Sequence, residues 1–285
     1  MPLLGAHYVV ALEPSSVAGA AVARGLGSPR IRSLARVPLA PGALAVSPFE
    51  PNLLRPDEVR EALARVAAAL GLNGQQACVV LPDGVARLAL LQVPADAEAE
   101  RFARFKLAAA LSYPVAEAVV DVLPLGGSRV LAAAVRRSVV EGYEHVVRAA
   151  GVAQGRVDLA PLAALAALAP ANALPGVDVI LGEAAVSLAA RLGGSVRAFR
   201  NRRRDPSPGE PERLALEVAR TAALAGDGQQ APRVRVLGPG AAALVRSWRE
   251  QGGEAELAWR PSLPDEAGGR PEEPAELAWL GAALA

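Results

Sequence analysis

Carboxylate and hydroxyl side chains stand together at the end of the first apolar segment, in Leu12-Glu13-Pro14-Ser15-Ser16. Hydroxyl groups can hold a phosphate, and a carboxylate can organise a metal ion through water. Proline and serine are also common in turns between strands, because proline fixes φ and serine hydrogen-bonds nearby backbone. Glu13, Ser15 and Ser16 are therefore candidates for a phosphate or metal site, and an ordinary hairpin turn is the alternative.

Other reactive residue types are scarce. Cys78 is the single cysteine, and His7 and His145 are the two histidines, so the sequence predicts no internal disulfide, no cysteine zinc site and no histidine metal site. No group of residues predicts a catalytic centre. The net charge is +1, from 30 basic and 29 acidic residues. This balance argues against a large basic surface that binds nucleic acid.

A basic run stands out against this balanced charge. It consists of Arg197, Arg200 and residues 202–204, which are all arginine. Such a run could bind an anionic partner or a membrane surface. The alternative is a solvated loop in which nearby acids, at 205, 210 and 212, supply the counter-charges.

The overall pattern is that of a folded chain with a core. The sequence has 285 residues, of which 52% are hydrophobic and 21% charged. The start has no positively charged segment typical of a signal peptide, and the longest apolar stretch, residues 159–171, is broken by Pro161 and Pro170. We therefore expect a cytoplasmic soluble protein with no direct membrane span.

Periodicity divides the chain into four parts. Apolar runs at 7–12, 17–24, 30–37 and 77–81, with a helix from Pro56 to Gly71, predict a βββαβ unit over residues 1–83. Residues 84–159 predict an inserted βαββα subdomain, with a hairpin around Gly126-Gly127. Residues 160–175 predict a short helix that returns to the first unit. Residues 176–285 repeat the first pattern, with Gly238-Pro239-Gly240 between a strand and a helix, an expected disordered loop over 261–274 and a terminal helix.

This duplicated order resembles that of the actin-like ATPase superfamily, in which two lobes clamp a nucleotide between their β-hairpins. Within it the chain resembles PilM-like proteins of type IV pilus machines, which are similar to FtsA. DEVREALARVAAALGL followed by ACVVLPDGVARLALLQVP, and later FKLAAALSYPVAEAVVDVLPL, carry the resemblance. It implies an α/β, two-lobed actin-like (duplicated ribonuclease-H-like) fold with an inserted α+β subdomain and a truncated second lobe.

The chain departs from this family in its nucleotide-binding parts. The family has Asp-x-Gly in each hairpin, but here Glu13 is followed by Pro14, and Ile180 stands in place of the second aspartate. Gly182 remains of the second motif, and Gly238 and Gly240 resemble the adenosine-side turn, although such turns also have purely structural uses. The helical subdomain expected between residues 200 and 212 is missing. The resemblance thus implies a vestigial nucleotide site at Glu13, Ser15, Ser16, Gly182, Gly238 and Gly240.

The resemblance also implies a function. PilM-like proteins are cytoplasmic scaffolds that dock the N-terminal tail of a bitopic inner-membrane partner, PilN, in a groove between the first lobe and the inserted subdomain. We therefore expect a scaffold at the inner face of the inner membrane, without ATPase activity and without a cofactor. Binding of ATP and magnesium is the less expected alternative. The alternatives are an active small ATPase or kinase of the actin/hexokinase superfamily, and the cytoplasmic part of a GspL-like secretion protein.

Overall fold

The first half of the chain builds a five-stranded mixed sheet. The computed structural model describes residues 6–23, 30–168, 175–224, 233–257 and Trp279. The sheet has the order β3-β2-β1-β4-β8, in which β1 pairs antiparallel with β2 and parallel with β4. Its first elements are β1 (Ala6–Glu13), β2 (Ser16–Ala23), β3 (Arg30–Pro38), α1 (Pro56–Ala69) and β4 (Gln76–Leu81).

A glycine on β2 lets α1 lie close to this sheet. A Cβ atom at Gly19 of β2 would come within 2.8 Å of the Leu70 side chain and 2.9 Å of Val66, so glycine is needed for the helix to approach. Pro56 stands at the first turn of α1, where a missing N–H costs nothing, and acidic residues in that turn complement the helix dipole. Val59, Leu63 and Val66 are buried against the strands.

The inserted part has a sheet of its own. It comprises β5 (Ala86–Gln92), α2 (Ala99–Ala108), β6 (Ala118–Pro124) and β7 (Arg129–Arg136), with the order β5-β7-β6. The β6–β7 connection contains Gly126 and Gly127 at φ 91° and 60°, as the predicted hairpin requires. Ala103 and Leu107 of α2 pack on this sheet.

The end of the expected insertion belongs to the first sheet instead. α3 (Arg137–Ala149) packs with α1 in the core of the first lobe, and β8 (Ala153–Leu159) pairs in parallel with β4. The sequence assigned both elements to the inserted subdomain, and the structure corrects this, because both belong to the first lobe. Without β8, strand β4 would expose a row of unpaired backbone groups at the sheet edge, so the strand that closes this edge completes the first lobe.

The second half repeats the architecture. Its elements are β9 (Gly176–Leu181), β10 (Ala185–Leu192), β11 (Ser195–Arg203), α5 (Glu210–Ala223), β12 (Arg233–Leu237), α6 (Ala241–Glu250) and β13 (Ala255–Leu257). The order β11-β10-β9-β12-β13 matches that of the first sheet. Residues 204–209 connect β11 directly to α5, so the second lobe is truncated where the sequence predicts it.

Comparison of the two halves locates the insertion. In the second half β12 runs through the turn Gly238-Pro239-Gly240 straight into α6, whereas in the first half residues 82–136 separate β4 from α3. The inserted sheet packs on the first lobe through Ala133 and Val135. It also contacts the second lobe, because Leu131 is buried in one cluster with Ile180.

A short helix lies between the two large sheets. α4 (Ala160–Ala167) places Ala163 against the first sheet, and Ala164 and Leu165 against the second. Trp279 is buried on the same face of the first sheet as Ala163. The helix predicted to return to the first lobe therefore contacts both lobes. The predicted loop over 261–274 and, apart from Trp279, the terminal helix lie outside the described residues.

A buried ion cluster ties α4 to the second sheet. Asp178 on β9 has a side chain that is only 2% exposed and pairs with Arg191 of β10 and Arg235 of β12. Both arginines also donate to carbonyl groups at the end of α4, those of Leu165 and Leu168. One carboxylate thus holds three strands and a helix together. In the described part of the chain, no helix combines the length and the apolar character that a membrane-spanning segment requires.

Candidate functional site

The first candidate residues form the turn of the β1–β2 hairpin. Glu13 pairs with Ser16 across a turn made by Pro14 and Ser15, and the carbonyl of Ser15 accepts a hydrogen bond from Leu39 N–H at 2.8 Å. Glu13, Ser15 and Ser16 therefore adopt the hairpin turn that the sequence offered as the alternative. The turn lies at the end of the sheet that faces the second lobe, and Ser16 is buried there.

Arg36 on β3 organises this turn. Its Nε donates to Ser16 Oγ at 2.9 Å, and its Nη2 lies 3.4 Å from a carboxylate oxygen of Glu13. The site therefore contains a guanidinium group beside a carboxylate and two hydroxyl groups. Charge-assisted bonds of this kind hold an oxyanion more firmly than neutral bonds.

The hairpin of the second lobe reaches into this arrangement. The carboxylate of Glu183, between β9 and β10, accepts Ser15 N–H at 2.9 Å and Ser15 Oγ–H at 2.5 Å. Arg36 Nη2 lies 3.7 Å from the same carboxylate. Residues 168 positions apart in the chain are thus in direct contact, and the fold brings the two predicted hairpins together.

A buried carboxyl group lies beside this contact. Asp83, which follows β4, packs against Gly182, where a Cβ atom would come within 2.5 Å of Asp83 Oδ2. Burial raises the pKa of Asp83 to about 7, although hydrogen bonds from backbone N–H groups, including that of Ala185, act in the opposite direction. Its Oδ2 has no hydrogen-bond partner in the described part of the chain. Gly182 is therefore required for close packing of the lobes.

The glycine turn after β12 is shaped by backbone packing. Gly238 has φ 103°, and a Cβ atom there would lie 1.8 Å from the Leu181 carbonyl oxygen, while Gly240 has φ 86° at the start of α6. Arg204 Nη1 donates to the carbonyl groups of Gly182 at 2.9 Å and Pro239 at 2.8 Å. Both glycines thus have a structural role, and Arg204 lies between the second hairpin and this turn.

Acids of α5 neutralise most of the basic run. Arg200 and Arg202 each lie 3.0 Å from a carboxylate oxygen of Glu217, and Arg204 pairs with Glu210 at 2.8 Å. The sequence named Glu210 among the counter-charges but missed Glu217. The run is therefore largely a paired surface at the end of β11.

Sequence reasoning missed the residues that close the cleft between the lobes. Glu183 follows Gly182 directly, and that adjacency was the signal that could have found it. Arg204 was predicted only as part of the basic run, and the loop that contains Asp83 gave no signal. Ile180 is buried among apolar side chains of α4 and β10. Among the described residues no three acidic, histidine or cysteine side chains group together as a metal site would need.

The fold class implies ATP and magnesium, and the residues present do not fit them. The carboxylate of Glu183 holds the donors of the first hairpin, and the guanidinium of Arg204 fills the space between the second hairpin and the glycine turn. Glu13 and Glu183 would both repel a phosphate group.

A second surface lies where the first lobe meets the inserted sheet. The loop 39–55 is anchored there by buried Asn52, whose amide group bonds to the backbone of Ser47 and whose Oδ1 lies 3.4 Å from the Tyr143 hydroxyl. This loop leaves Phe49 43% exposed and Leu54 57% exposed. Arg136 of the inserted sheet donates to the Phe49 carbonyl at 2.8 Å, so Phe49 stands at the junction, and Leu54 is exposed on the same loop.

No protein-family model matches the chain, and no curated protein matches it significantly. Solved structures match over nearly its whole length. A PilM-PilN type IV pilus biogenesis complex matches with a TM-score of 0.69 at 19% identity, over 98% of this chain and 96% of that one. The cytoplasmic domain of EpsL, an inner-membrane component of the type II secretion system of Vibrio cholerae, matches with a TM-score of 0.56 at 13% identity, over 98% and 95%.

A third match is to a Bacteroides thetaiotaomicron protein with an actin-like ATPase fold and unknown function. Its TM-score is 0.58 at 10% identity, over 99% of this chain and 96% of that one. Together with the duplicated sheets, these likenesses define the class: the chain has a two-lobed actin-like fold. Within this fold the chain has an insertion between β4 and α3 and a short connection from β11 to α5.

Proposed function

We propose that this protein is a cytoplasmic scaffold of a type IV pilus or related secretion machine that docks the cytoplasmic tail of a bitopic, PilN-like inner-membrane protein. The observation that supports it most is loop 39–55, which exposes Phe49 and Leu54 and is hydrogen-bonded to the inserted sheet through Arg136. The PilM-PilN complex and the secretion-system EpsL domain, which share this fold, support the assignment.

The junction suits a short apolar segment. Its loop is held by the buried hydrogen bonds of Asn52 and by Arg136, so little conformational entropy is lost there on binding. Arg136 is itself held by Glu117 at 2.9 Å. A tail of this kind buries less than about 1,200 Å² in total, for which micromolar affinity is typical. A dimeric partner would bind more tightly through its effective concentration.

The docking surface can be tested with a peptide that carries the cytoplasmic tail of the bitopic membrane protein encoded beside this chain. Phe49→Ala and Leu54→Ala are each expected to weaken binding about tenfold, because truncating an apolar anchor at an interface costs about 1–2 kcal/mol. Isothermal titration calorimetry measures the effect. Leu216→Ala is the matched control, since Leu216 is 59% exposed on α5 of the other lobe. Equal affinity of all three variants would contradict this docking surface.

We further propose that the protein is a pseudo-ATPase. This is supported by Ile180 in the place of the second-lobe carboxylate, by the direct β11–α5 connection, and by the positions of Glu183 and Arg204 in the cleft. An active ATPase or kinase is the alternative, and it needs carboxylates that organise the metal and the nucleophile.

Nucleotide binding separates these two functions. With about 1 mM ATP and magnesium, we expect a melting-temperature shift of less than about 1 °C, because a ligand that does not bind the folded state does not stabilise it. Differential scanning fluorimetry and calorimetry check this. A micromolar dissociation constant, or phosphate release above that of a protein-free control, would favour the enzyme.

A further inference from the structure

The contact between the two hairpins has the composition of an anion-binding site, in which the Glu183 carboxylate is the bound anion. Ser15 offers its backbone N–H to one oxygen of the Glu183 carboxylate and its hydroxyl group to the other, at 2.9 and 2.5 Å. Two donors from one residue thus hold both oxygens of one carboxylate. Arg36 stands 3.7 Å away and supplies positive charge.

We propose that Glu183 is an internal ligand of the first hairpin: its carboxylate occupies a latent oxyanion site made by Ser15 and Arg36, and in doing so it fastens the two lobes together. The occupant comes from this chain rather than from solution. This contact joins the two lobes directly through side chain and backbone of the chain itself.

The charge distribution explains why an added anion would not displace Glu183. Arg36 Nη2 lies 3.4 Å from Glu13 and 3.7 Å from Glu183, so one guanidinium group already faces two carboxylates. The side chains of both acids are less than one-fifth exposed, which strengthens their fields relative to those in water. A phosphate group would add a third negative centre to this site. Removal of the Glu183 carboxylate is therefore the change that opens the site.

The second lobe presents Glu183 from a braced turn. Gly182 N–H donates to the Ala185 carbonyl at 2.8 Å, and Arg204 N–H donates to the Ala184 carbonyl at 3.0 Å. The Arg204 side chain holds the Gly182 carbonyl and is itself held by Glu210. Arg204 thus acts as a positioning residue that keeps the Glu183 turn pointed at the first hairpin.

Hydrogen exchange at a single backbone group tests the proposal. In Glu183→Ala, the Ser15 amide of the full chain is expected to exchange at least about tenfold faster than in the wild type, because its acceptor is gone. NMR follows that amide. Glu256→Ala is the matched control, since Glu256 makes a 2.8 Å ion pair with Arg233 inside the second lobe, and it should leave Ser15 unchanged.

Rescue by small anions tests whether the hairpin is an oxyanion site. Sodium formate and inorganic phosphate, each compared with sodium chloride at equal ionic strength, are added to Glu183→Ala. We expect at least one of the two to restore protection of the Ser15 amide in the variant, and neither to change the wild type. Rescue by formate alone would indicate a carboxylate site, and rescue by phosphate would indicate a phosphoryl site.

Two results would overturn the proposal. Unchanged exchange at Ser15 in Glu183→Ala would mean that the carboxylate does not protect this amide, and faster exchange that neither anion reverses would mean that the hairpin is not an anion site. If Glu183→Ala fails to fold, Glu183→Gln replaces it, with an expected increase of at least about threefold. The docking surface at Phe49 is untouched, so this test and the peptide titration can fail independently.

Discussion

Replacing Asp178 by asparagine is expected to lower the free energy of unfolding by about 3–5 kcal/mol, because it leaves two guanidinium groups at a buried site without their counter-charge. The Asp178 carboxylate is almost fully buried and lies 2.6 Å from Arg235 Nε, with Arg191 bonded to its other oxygen. For a chain of this size the melting temperature should fall by roughly 10 °C. Thermal and urea unfolding followed by circular dichroism measure the change.

Asp205→Asn is the matched control for that experiment. Asp205 also faces an arginine, at 3.3 Å, but its side chain is 77% exposed, so its loss should change stability by less than about 1 kcal/mol. A triple variant, Asp178→Leu with Arg191→Met and Arg235→Met, removes all three charges and should recover much of the lost stability. If Asp178→Asn unfolds like the wild type, the cluster does not hold α4 to the second sheet.

The second large effect is a pH dependence at Asp83. Its pKa is raised from 3.8 to about 7 by burial, so the folded protein keeps a proton that the unfolded chain releases above pH 4. The contribution of this group to the free energy of unfolding therefore falls as the pH rises from about 4 to 7, and it stays low above pH 7. Asp83→Asn, which mimics the protonated acid, removes this dependence.

We expect Asp83→Asn to be more stable than the wild type at pH 8, with a difference that grows by about 2–3 kcal/mol between pH 5 and pH 8. Urea unfolding at both pH values gives the comparison. The exposed Asp205→Asn variant again serves as the control, and its difference from the wild type should stay nearly constant. A difference for Asp83→Asn that shrinks as the pH rises would show that the carboxyl group is ionised and stabilising in the folded state.

Much of the architecture could be predicted because its signals are local. Val59, Leu63 and Val66 mark the buried face of α1 through their helical spacing, and Gly126-Gly127 marks a hairpin turn because both glycines take positive φ. The repeated order of strands and helices then predicts two similar lobes. The same reasoning misplaced β8, because a short strand carries no local signal for the strand with which it will pair.

The residue pattern is sufficient to predict the two hairpin turns, the duplicated order of elements and the short β11–α5 connection. The role of the turns depends on tertiary packing. Ser15 and Glu183 lie 168 residues apart, and each turn alone would be an ordinary solvated loop. Their contact depends on how α4 and the inserted sheet pack the lobes against each other, since hydrogen bonds form only within about 3 Å. The burial of Asp83 against Gly182 follows from the same packing, because the raised pKa of a carboxyl group reflects its surroundings and not its neighbours in the chain.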